Sequence, residues 1–441
     1  MSLSIDQVRA KVASQKTRLP ALYGNLDFDA VPKRFTPDAS KAVVRDRAPL
    51  GVTVTQDDLD RVQAYTLLGD MVADAYAALI PKYGFRRLID MLTTACEHGV
   101  EAVADAPPQL AAFIADMEAA PDWIDMDLVR EGARLDLNAM AHLAPFAIRG
   151  AFVATFLNKY SALPMALTGT LTHDGAARRV NETAAFFATT VLPGALERHG
   201  AGFKAAAMVR LMHSMVRFNA LRSGRWDASV YGVPIPQVDQ MPAGLIPIYL
   251  LSFKILRQGR RRFTAEERAK VELARYRCFL LGLPRDLLAD TPEGIVRAMT
   301  ARDSTLRRGF DDETCGALIR ATLAAYLPPD RSPANRLHDH VERRFAKVFF
   351  VRHFLNGDRA AAARMGVEVA PVDRLVFAAV ALDVTARMAA FQMAGKVPGL
   401  RGLADAVLER RVHRLLARYG HAEYVTDAAR YRPAHAAPAA V

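Results

Sequence analysis

The chain has 441 residues, of which 51% are hydrophobic and 24% are charged, so it can bury a large core as a soluble globular protein. Its formal net charge of +11 favours anionic partners, but no basic run is interleaved with aromatic residues, so nucleic acid is not an expected partner. Three dispersed cysteines (Cys96, Cys278 and Cys315) form no metal-binding pair and predict no disulfide framework.

The first 50 residues are polar and interrupted by prolines, and we expect them to form an N-terminal arm. They contain no apolar run typical of a secretory signal, and no uncharged apolar stretch reaches the length of a membrane-spanning helix. The sequence therefore predicts a cytoplasmic protein. A peripheral contact with an anionic membrane stays open because of the short basic cluster at 257–262.

Local helix signals begin at Thr55. Thr55 and Asp58 have the spacing of a capping box, and the apolar residues behind them predict a helix to about Ile80. A second capping box, Thr264 with Glu267, predicts another helix start.

Further helices are predicted over about 178–191, 201–222 and 336–425, separated by proline- and glycine-rich connections. No alternating strand pattern of useful length occurs, so the predicted fold class is all-α. The predicted organisation is an N-terminal arm at 1–50, a main helical domain at 51–335, C-terminal helices packed on that core at 336–428, and a disordered tail at 429–441.

The sequence carries none of the common catalytic or nucleotide-binding signatures. GxGxxG after a strand, GxxxxGK[ST], GxSxG and HExxH are all missing. His338 and His340 are two positions apart, so on a helix they point to different sides and make poor joint metal ligands.

The first segment with candidate chemistry is the predicted helix at about 178–191. Arg179, Glu182 and Thr183 stand at positions i, i+3 and i+4, so they share one helix face. That face places two charges and a hydroxyl beside the apolar run at 184–187.

The next predicted helix carries a single histidine, His213, between Met212 and Met215. Arg210 and Arg217 stand at i−3 and i+4 from it. An imidazole among thioether side chains is a common axial ligand of haem iron, and nearby arginines can neutralise haem propionates. The alternative is a core histidine bonded to the backbone, with arginines that reach solvent, and spacing alone favours this alternative.

Several motifs together resemble the latex clearing protein (rubber oxygenase) and MpaB-type oxygenase family. The likeness covers roughly 110–330, and the Arg-to-Thr-to-His spacing agrees over its whole length. The matching motifs are Pro121-Asp-Trp-Ile-Asp125, Arg179-Val-Asn-Glu-Thr183-Ala-Ala-Phe186, Val209-Arg-Leu-Met-His213-Ser-Met-Val-Arg217 and Gly232-Val-Pro-Ile-Pro-Gln237-Val-Asp239.

This resemblance implies a helical fold of globin-like character and a b-type haem, held by the domain at 51–335. It implies that His213 is the proximal iron ligand and that Arg179 and Thr183 line or support the pocket. Members of the family use dioxygen to cleave carbon–carbon double bonds in polyisoprene or prenyl side chains. The implied partners are therefore dioxygen and a small apolar substrate.

Two departures from the family pattern bear on the substrate. Rubber-cleaving members have a lysine beside the threonine, and Glu182 occupies that position here. They also use an upstream glutamate as a base, whereas 151–178 contains none. Rubber is therefore not the expected substrate; an unsaturated lipid or isoprenoid is, with Glu182 as a candidate proton acceptor.

Three hypotheses follow from the sequence. The leading one is a haem-dependent oxygenase, in which Arg179, Glu182 and Thr183 are catalytic and His213, Arg179, Arg210 and Arg217 bind the cofactor. The second is a non-catalytic haem- or lipid-binding, or sensing, helical protein. The third is a basic helical interaction protein without haem, in contact with anionic membranes.

Overall fold

The computed structural model describes residues 3–37, 39, 50–168, 171–224 and 226–420. The predicted tail at 429–441 and residues 40–49 of the predicted arm lie outside this part. Within it the regular elements are helices, apart from one isolated bridge between Phe35 and Leu306, which confirms the all-α prediction.

The α-helices of the described residues are numbered in chain order. They are α1 (Ile5–Arg18), α2 (Pro20–Tyr23), α3 (Gln56–Thr66), α4 (Met71–Ala77), α5 (Ile80–Tyr83), α6 (Phe85–His98), α7 (Pro108–Glu118), α8 (Met126–His142), α9 (Ala144–Ala154), α10 (Lys159–Leu167), α11 (His173–Thr189), α12 (Ala201–Arg222), α13 (Ala228–Tyr231), α14 (Met241–Arg257), α15 (Ala265–Leu280), α16 (Pro292–Thr305), α17 (Ala317–Ala324), α18 (Pro333–Phe354), α19 (Arg359–Arg364), α20 (Pro371–Ala394) and α21 (Pro398–Tyr419).

The helices form two compact units, each built from two separate stretches of chain. Unit 1 contains Met1–Leu135 and Pro193–Arg308, and unit 2 contains Asp136–Leu192 and Gly309–Val441. These limits differ from the domain boundaries predicted from sequence. The predicted boundary after residue 335 falls inside α18, and helices of the predicted main domain pack with the predicted C-terminal helices in unit 2.

Unit 1 is organised around α12, in which 15 of 22 residues are buried. This helix packs against α2, α4, α6 and α15. It ends at Arg222 and is capped by Ser223, and Gly224 follows with a φ of +66°, a left-handed conformation that favours glycine. The predicted helix over 201–222 is confirmed at both ends. This helix carries the candidate His213.

Unit 2 contains α9–α11 and α17–α21. α9 packs on α18, α18 packs on α20, and α11 packs on α17 and α21. One of its apolar clusters includes Phe152, Phe156, Ile319 and Phe350. Arg149 is fully buried beside this cluster and donates to Glu342 and to backbone carbonyls near the end of α17.

The two predicted capping boxes are present. The Thr55 hydroxyl accepts from the Asp58 backbone, and the Asp58 carboxylate accepts from the Thr55 backbone. Thr264 and Glu267 make the same pair of bonds at the start of α15. These ends are predictable because both partners lie within one turn of chain.

The single helix predicted from Thr55 to Ile80 is wrong, since the chain breaks there into α3, α4 and α5. The backbone of Gly69 donates to the buried Gln15 amide oxygen at 2.8 Å. A β-carbon at Gly69 would collide with the Tyr23 hydroxyl. Asp70 then caps α4 by accepting from Ala73 at 3.1 Å. The break is therefore set by contacts with α1 and α2 that the local pattern does not contain.

The last predicted helical segment, 336–425, is also interrupted, and its residues beyond 420 lie outside the described part. Asn356 and Gly357 have positive φ values after α18, and Gly366 has one after α19. Prolines then stand at the first position of α20 and α21, where a missing N–H costs no helical bond.

One helix of the described residues, α20, is long and apolar enough by length and composition to cross a membrane. Only a small part of this helix is buried inside the protein, so it is not the core helix of a soluble domain, and a single helix of this kind does not establish a span. In α20 the side chains of Asp373, Phe377 and Val384 are buried, and Leu375 and Leu382 are exposed. The helix therefore presents one apolar face to α18 and another apolar face to the outside of unit 2.

Candidate functional site

The candidate iron ligand, His213, lies on α12 among the buried side chains of Met212 and Met215 and is itself half-buried. Its Nδ1 lies 3.3 Å from the amide oxygen of Gln240. The amide nitrogen of Gln240 in turn donates to the Gln237 oxygen at 2.7 Å, which turns the Gln240 oxygen toward the histidine. That oxygen can only accept, so in this hydrogen bond the Nδ1 of His213 is the donor.

Gln237 and Gln240 belong to a short 3₁₀ turn, Gln237–Gln240, directly before α14. Both side chains are buried. The loop before this turn was singled out in the sequence, and it includes Gln237, but the role of Gln240 was not predicted. A contact over 27 residues leaves no periodic trace in the chain, so no local signal could have found it.

Arg210 is buried in ion pairs with carboxylates of unit 1. It donates to Asp70 from Nε at 2.6 Å and contacts the partly exposed Asp116 at 2.7 Å. Burial opposes ionisation of Asp70, but the charge and hydrogen bonds of Arg210 outweigh it and lower the pKa of that carboxyl group. The Arg210 Nη1 is buried without a hydrogen-bond partner among the described residues.

Arg217 is fully buried and fastens the proline-rich loop to α12. It is paired with Asp74 and donates to the carbonyls of Pro234 at 2.9 Å and Ile235 at 2.5 Å. Tyr23 also donates to Asp74, and burial together with this carboxylate raises the pKa of Tyr23 well above its usual value. These contacts hold the loop on α12. A contact between Arg217 and a haem propionate stays a prediction.

The second set of candidate residues, Arg179, Glu182 and Thr183, lies on α11 in unit 2. As predicted from their spacing, Arg179 and Glu182 are neighbours: Nη1 of the arginine lies 3.1 Å from Oε2 of the glutamate. Both side chains are mostly buried, with exposed fractions of 20% and 11%. The Arg179 Nε is buried and has no hydrogen-bond partner among the described residues.

The basic cluster at 257–262 is partly neutralised. Arg260 is paired with Glu267 at 2.5 Å, and Arg261 is paired with Glu293. Both pairs are at least partly exposed to solvent, so each contributes little to stability. Contact of this cluster with a membrane stays a prediction.

The family model for "ER-bound oxygenase mpaB/B'/Rubber oxygenase, catalytic domain" matches residues 139–434. That range is about two thirds of the chain, and it contains the α11 residues, His213 and the loop before Gln240. The chain belongs to this family. The rubber oxygenase/MpaB match extends further toward the C-terminus than the resemblance noted in the sequence, and the motif at 121–125 lies outside it.

A solved structure supports the same fold. The "Structure of Latex Clearing Protein LCP in the closed state" matches with a TM-score of 0.54 and 18% identity, over 80% of this chain and 91% of that one. At this identity the match shows the all-helical fold alone. No curated protein matches the chain. Membership of the rubber oxygenase/MpaB family makes the protein an oxygenase enzyme, and oxygenases of this family act on apolar substrates.

The described residues offer an imidazole, that of His213, as the kind of single ligand that a haem iron takes from a protein. In this part of the chain no three histidine, cysteine or carboxylate side chains come together to hold a metal. A haem iron needs only one or two protein ligands, because the porphyrin supplies four nitrogens. A single imidazole whose Nδ1 is bonded to a fixed acceptor meets that requirement.

Proposed function

We propose that this protein is a b-type haem-dependent oxygenase that acts on an apolar, unsaturated isoprenoid or lipid-like substrate, with His213 as the axial ligand of the iron. The observation that carries the proposal is the hydrogen-bond chain from Gln237 through Gln240 to His213. Histidines that ligate metals usually donate their other ring N–H to such an acceptor, which fixes the tautomer and the orientation of the ring.

In this proposal, the side chains around His213 have separate tasks. Met212 and Met215 provide apolar, polarizable surroundings that suit a porphyrin face. The Nη1 of Arg210, which has no hydrogen-bond partner among the described residues, would donate to a propionate through a charge-assisted hydrogen bond, since Asp70 and Asp116 hold the other side of the guanidinium. When bound, the haem would supply the oxygen chemistry, and the protein would supply binding, orientation and polarity.

The α11 residues are proposed to act on the oxygen or the substrate, as the family resemblance implies. Arg179 holds the Glu182 carboxylate by a hydrogen bond and keeps a second donor, Nε, without a partner in the described residues. Glu182 would accept a proton from the substrate, and Thr183 would position oxygen by its hydroxyl group. Polyisoprene is not the proposed substrate, because Glu182 replaces the lysine of rubber-cleaving members.

The test is oxygen consumption by haem-loaded protein with a polyprenyl lipid, compared with the saturated lipid of the same length. We expect consumption only with the unsaturated lipid, together with carbonyl products from double-bond cleavage. Glu182→Gln should lower the rate by about 100-fold, the usual weight of a general base, while it keeps the haem. The matched control is Glu313→Gln, an exposed glutamate of the same unit, which should leave the rate unchanged.

Two results would contradict this proposal. Tight haem binding without oxygen consumption on any unsaturated lipid would contradict the oxygenase proposal and favour a haem-sensing protein. Equal rates with the saturated and unsaturated lipids would contradict the assignment of the double bond as the reacting group.

A further inference from the structure

Unit 2 contains a cavity of about 830 Å³ that the proposed oxygenase chemistry does not use. Helices α17, α18 and α20 contribute to its walls, together with the turn after α19. It is an open cleft at the surface, large enough to take a small organic ligand. Six cationic side chains line it: Arg320, Arg331, Arg336, Arg343, Arg344 and Lys347. The carboxylates of its lining number three, from Asp339, Glu368 and Asp373, so positive charge is in excess.

Most of the positive charge comes from one face of α18. Arg336, His340, Arg343, Arg344 and Lys347 stand at positions i, i+4, i+7, i+8 and i+11 along this helix. Residues at these spacings share one side of a helix, and the rise per residue makes the stripe roughly 16 Å long. The stripe is therefore longer than a single phosphate or carboxylate group can cover.

Two buried carboxylates hold these cations in position. Asp339 accepts from Arg343 at 2.5 Å and also lies 3.4 Å from the buried Arg149. Asp373 contacts Arg344 and Lys347, each at 2.7 Å. Asp373 is shared by two cations, so this cluster keeps a net positive charge, whereas Asp339 belongs to a balanced cluster because Arg149 also pairs with the buried Glu342. Because both carboxylates are buried, the geometry of the cations is fixed before any ligand arrives.

Two arginines of the cavity lining, Arg331 and Arg336, have no acidic partner within the described residues, whereas Arg320 is paired with Asp312 at 2.6 Å. Arg336 makes no ion pair there, and Arg331 lies over the ring of Tyr326 at 5.1 Å without one. Both side chains are exposed. Their donors are therefore available to an external anion, and Tyr326 adds a flat apolar surface beside them.

We propose that this cavity binds a ligand with two or more phosphoryl groups, such as an organic diphosphate or a phosphorylated headgroup. An arginine guanidinium can donate two hydrogen bonds to a pair of phosphoryl oxygens. Several arginines along a stripe of roughly 16 Å therefore favour a multiply charged anion over a monocarboxylate. Such a ligand has two sources, a soluble organic phosphate or the headgroup of an anionic lipid. This site is separate from the proposed haem chemistry, and its test needs no haem.

The experiment measures binding to the full chain by titration calorimetry with inorganic pyrophosphate, and by co-sedimentation with vesicles. One set of vesicles contains phosphatidylcholine alone, and the other also contains a phosphoinositide. The test variant is Arg331→Ala with Arg336→Ala, because neither change leaves a buried carboxylate unpaired. The matched control is Arg410→Ala with Arg414→Ala, two exposed arginines on α21 that lie outside the cavity.

We expect one bound anion per chain, binding that weakens with added salt, and a loss of about tenfold or more in affinity in the test variant but not in the control. Binding of pyrophosphate identifies a soluble source, and binding of phosphoinositide vesicles alone identifies a lipid headgroup. The proposal is overturned if neither probe binds, or if the test and control variants lose affinity equally.

Discussion

At the residue scale, the assignment of His213 depends on its neighbours more than on the histidine itself. The sequence placed His213 between two methionines and two arginines, but this pattern suits a core histidine as well as an iron ligand. The distinguishing feature is the Gln240 oxygen at Nδ1, fixed in turn by Gln237. Sequence spacing could not show it, because the histidine and the glutamine come together only through the fold.

Gln240→Leu should weaken haemin binding by about 10- to 100-fold, the usual cost of losing a hydrogen-bond partner behind a metal-ligating histidine. Leucine has a similar volume, so packing changes little. Haemin titration followed by visible absorption measures the effect, and the exposed Gln258→Leu serves as the control. Gln240→Glu should restore most of the affinity, because a carboxylate also accepts from Nδ1. Unchanged affinity in Gln240→Leu would show that the hydrogen bond does not support a ligand.

His338 on α18 provides a test of pH dependence. Burial, followed by the charge of Arg418, lowers the pKa of this histidine to about 4, against about 6.5 in an unfolded chain. Between about pH 4 and pH 6.5 the unfolded state binds a proton on His338 that the folded state does not. The contribution of His338 to stability is therefore complete above about pH 6.5 and is lost as the pH falls toward 4. His338→Gln should remove about 2 kcal/mol of this fall, measured by urea unfolding from pH 7 to pH 4. A variant with the slope of the parent would contradict the assignment.

At the element scale, the helices that sequence predicted correctly are those set by local signals. α12 matches its predicted limits, and the starts of α3 and α15 match their capping boxes. The errors have tertiary causes: the break at Gly69 is imposed by Tyr23 and Gln15. The contact between Arg179 and Glu182 was predictable for the same reason as the caps. Residues three positions apart on a helix are neighbours whatever the rest of the fold.

Helix α20 carries both buried and exposed apolar side chains. Phe377 is buried and its ring lies 4.7 Å from that of Phe345, whereas Leu382 on the same helix is 74% exposed. Phe377→Ala should cost about 3–5 kcal/mol of unfolding free energy, through lost contacts and a cavity. Leu382→Ala should change it by less than about 0.5 kcal/mol. Urea unfolding compares the two variants, and similar losses would show that the outer face of α20 is also packed.

At the scale of the whole molecule, the division into two units does not follow the order of the chain, so sequence patterns do not show it. Each unit is assembled from two stretches, and the pairing of 136–192 with the chain beyond 308 leaves no mark in composition or periodicity. The ion pairs of α12 illustrate the same limit, because Arg210 and Asp70 are 140 positions apart. Sequence patterns gave the helices and the family resemblance, but not the grouping of helices into units.

This division predicts the behaviour of a truncated chain. A fragment of residues 1–308 keeps both stretches of unit 1 but only 136–192 of unit 2. Phe152 and Phe156 would lose their partners Ile319 and Phe350. We therefore expect limited proteolysis to cut the fragment within 136–192 first, while the full chain resists at the same positions. Equal protection of 136–192 in the two proteins would contradict this division.

The most direct test of the proposed haem enzyme is a titration of the purified protein with haemin, followed by visible absorption. The parent protein should take up one haem per chain and show a sharp Soret band, and the exposed-histidine control, His199→Ala, should behave alike. His213→Ala should lose this band, and added imidazole should restore it by replacing the missing ring. A parent protein that takes up no haem, or a His213→Ala variant with the parent spectrum, would contradict His213 as the iron ligand.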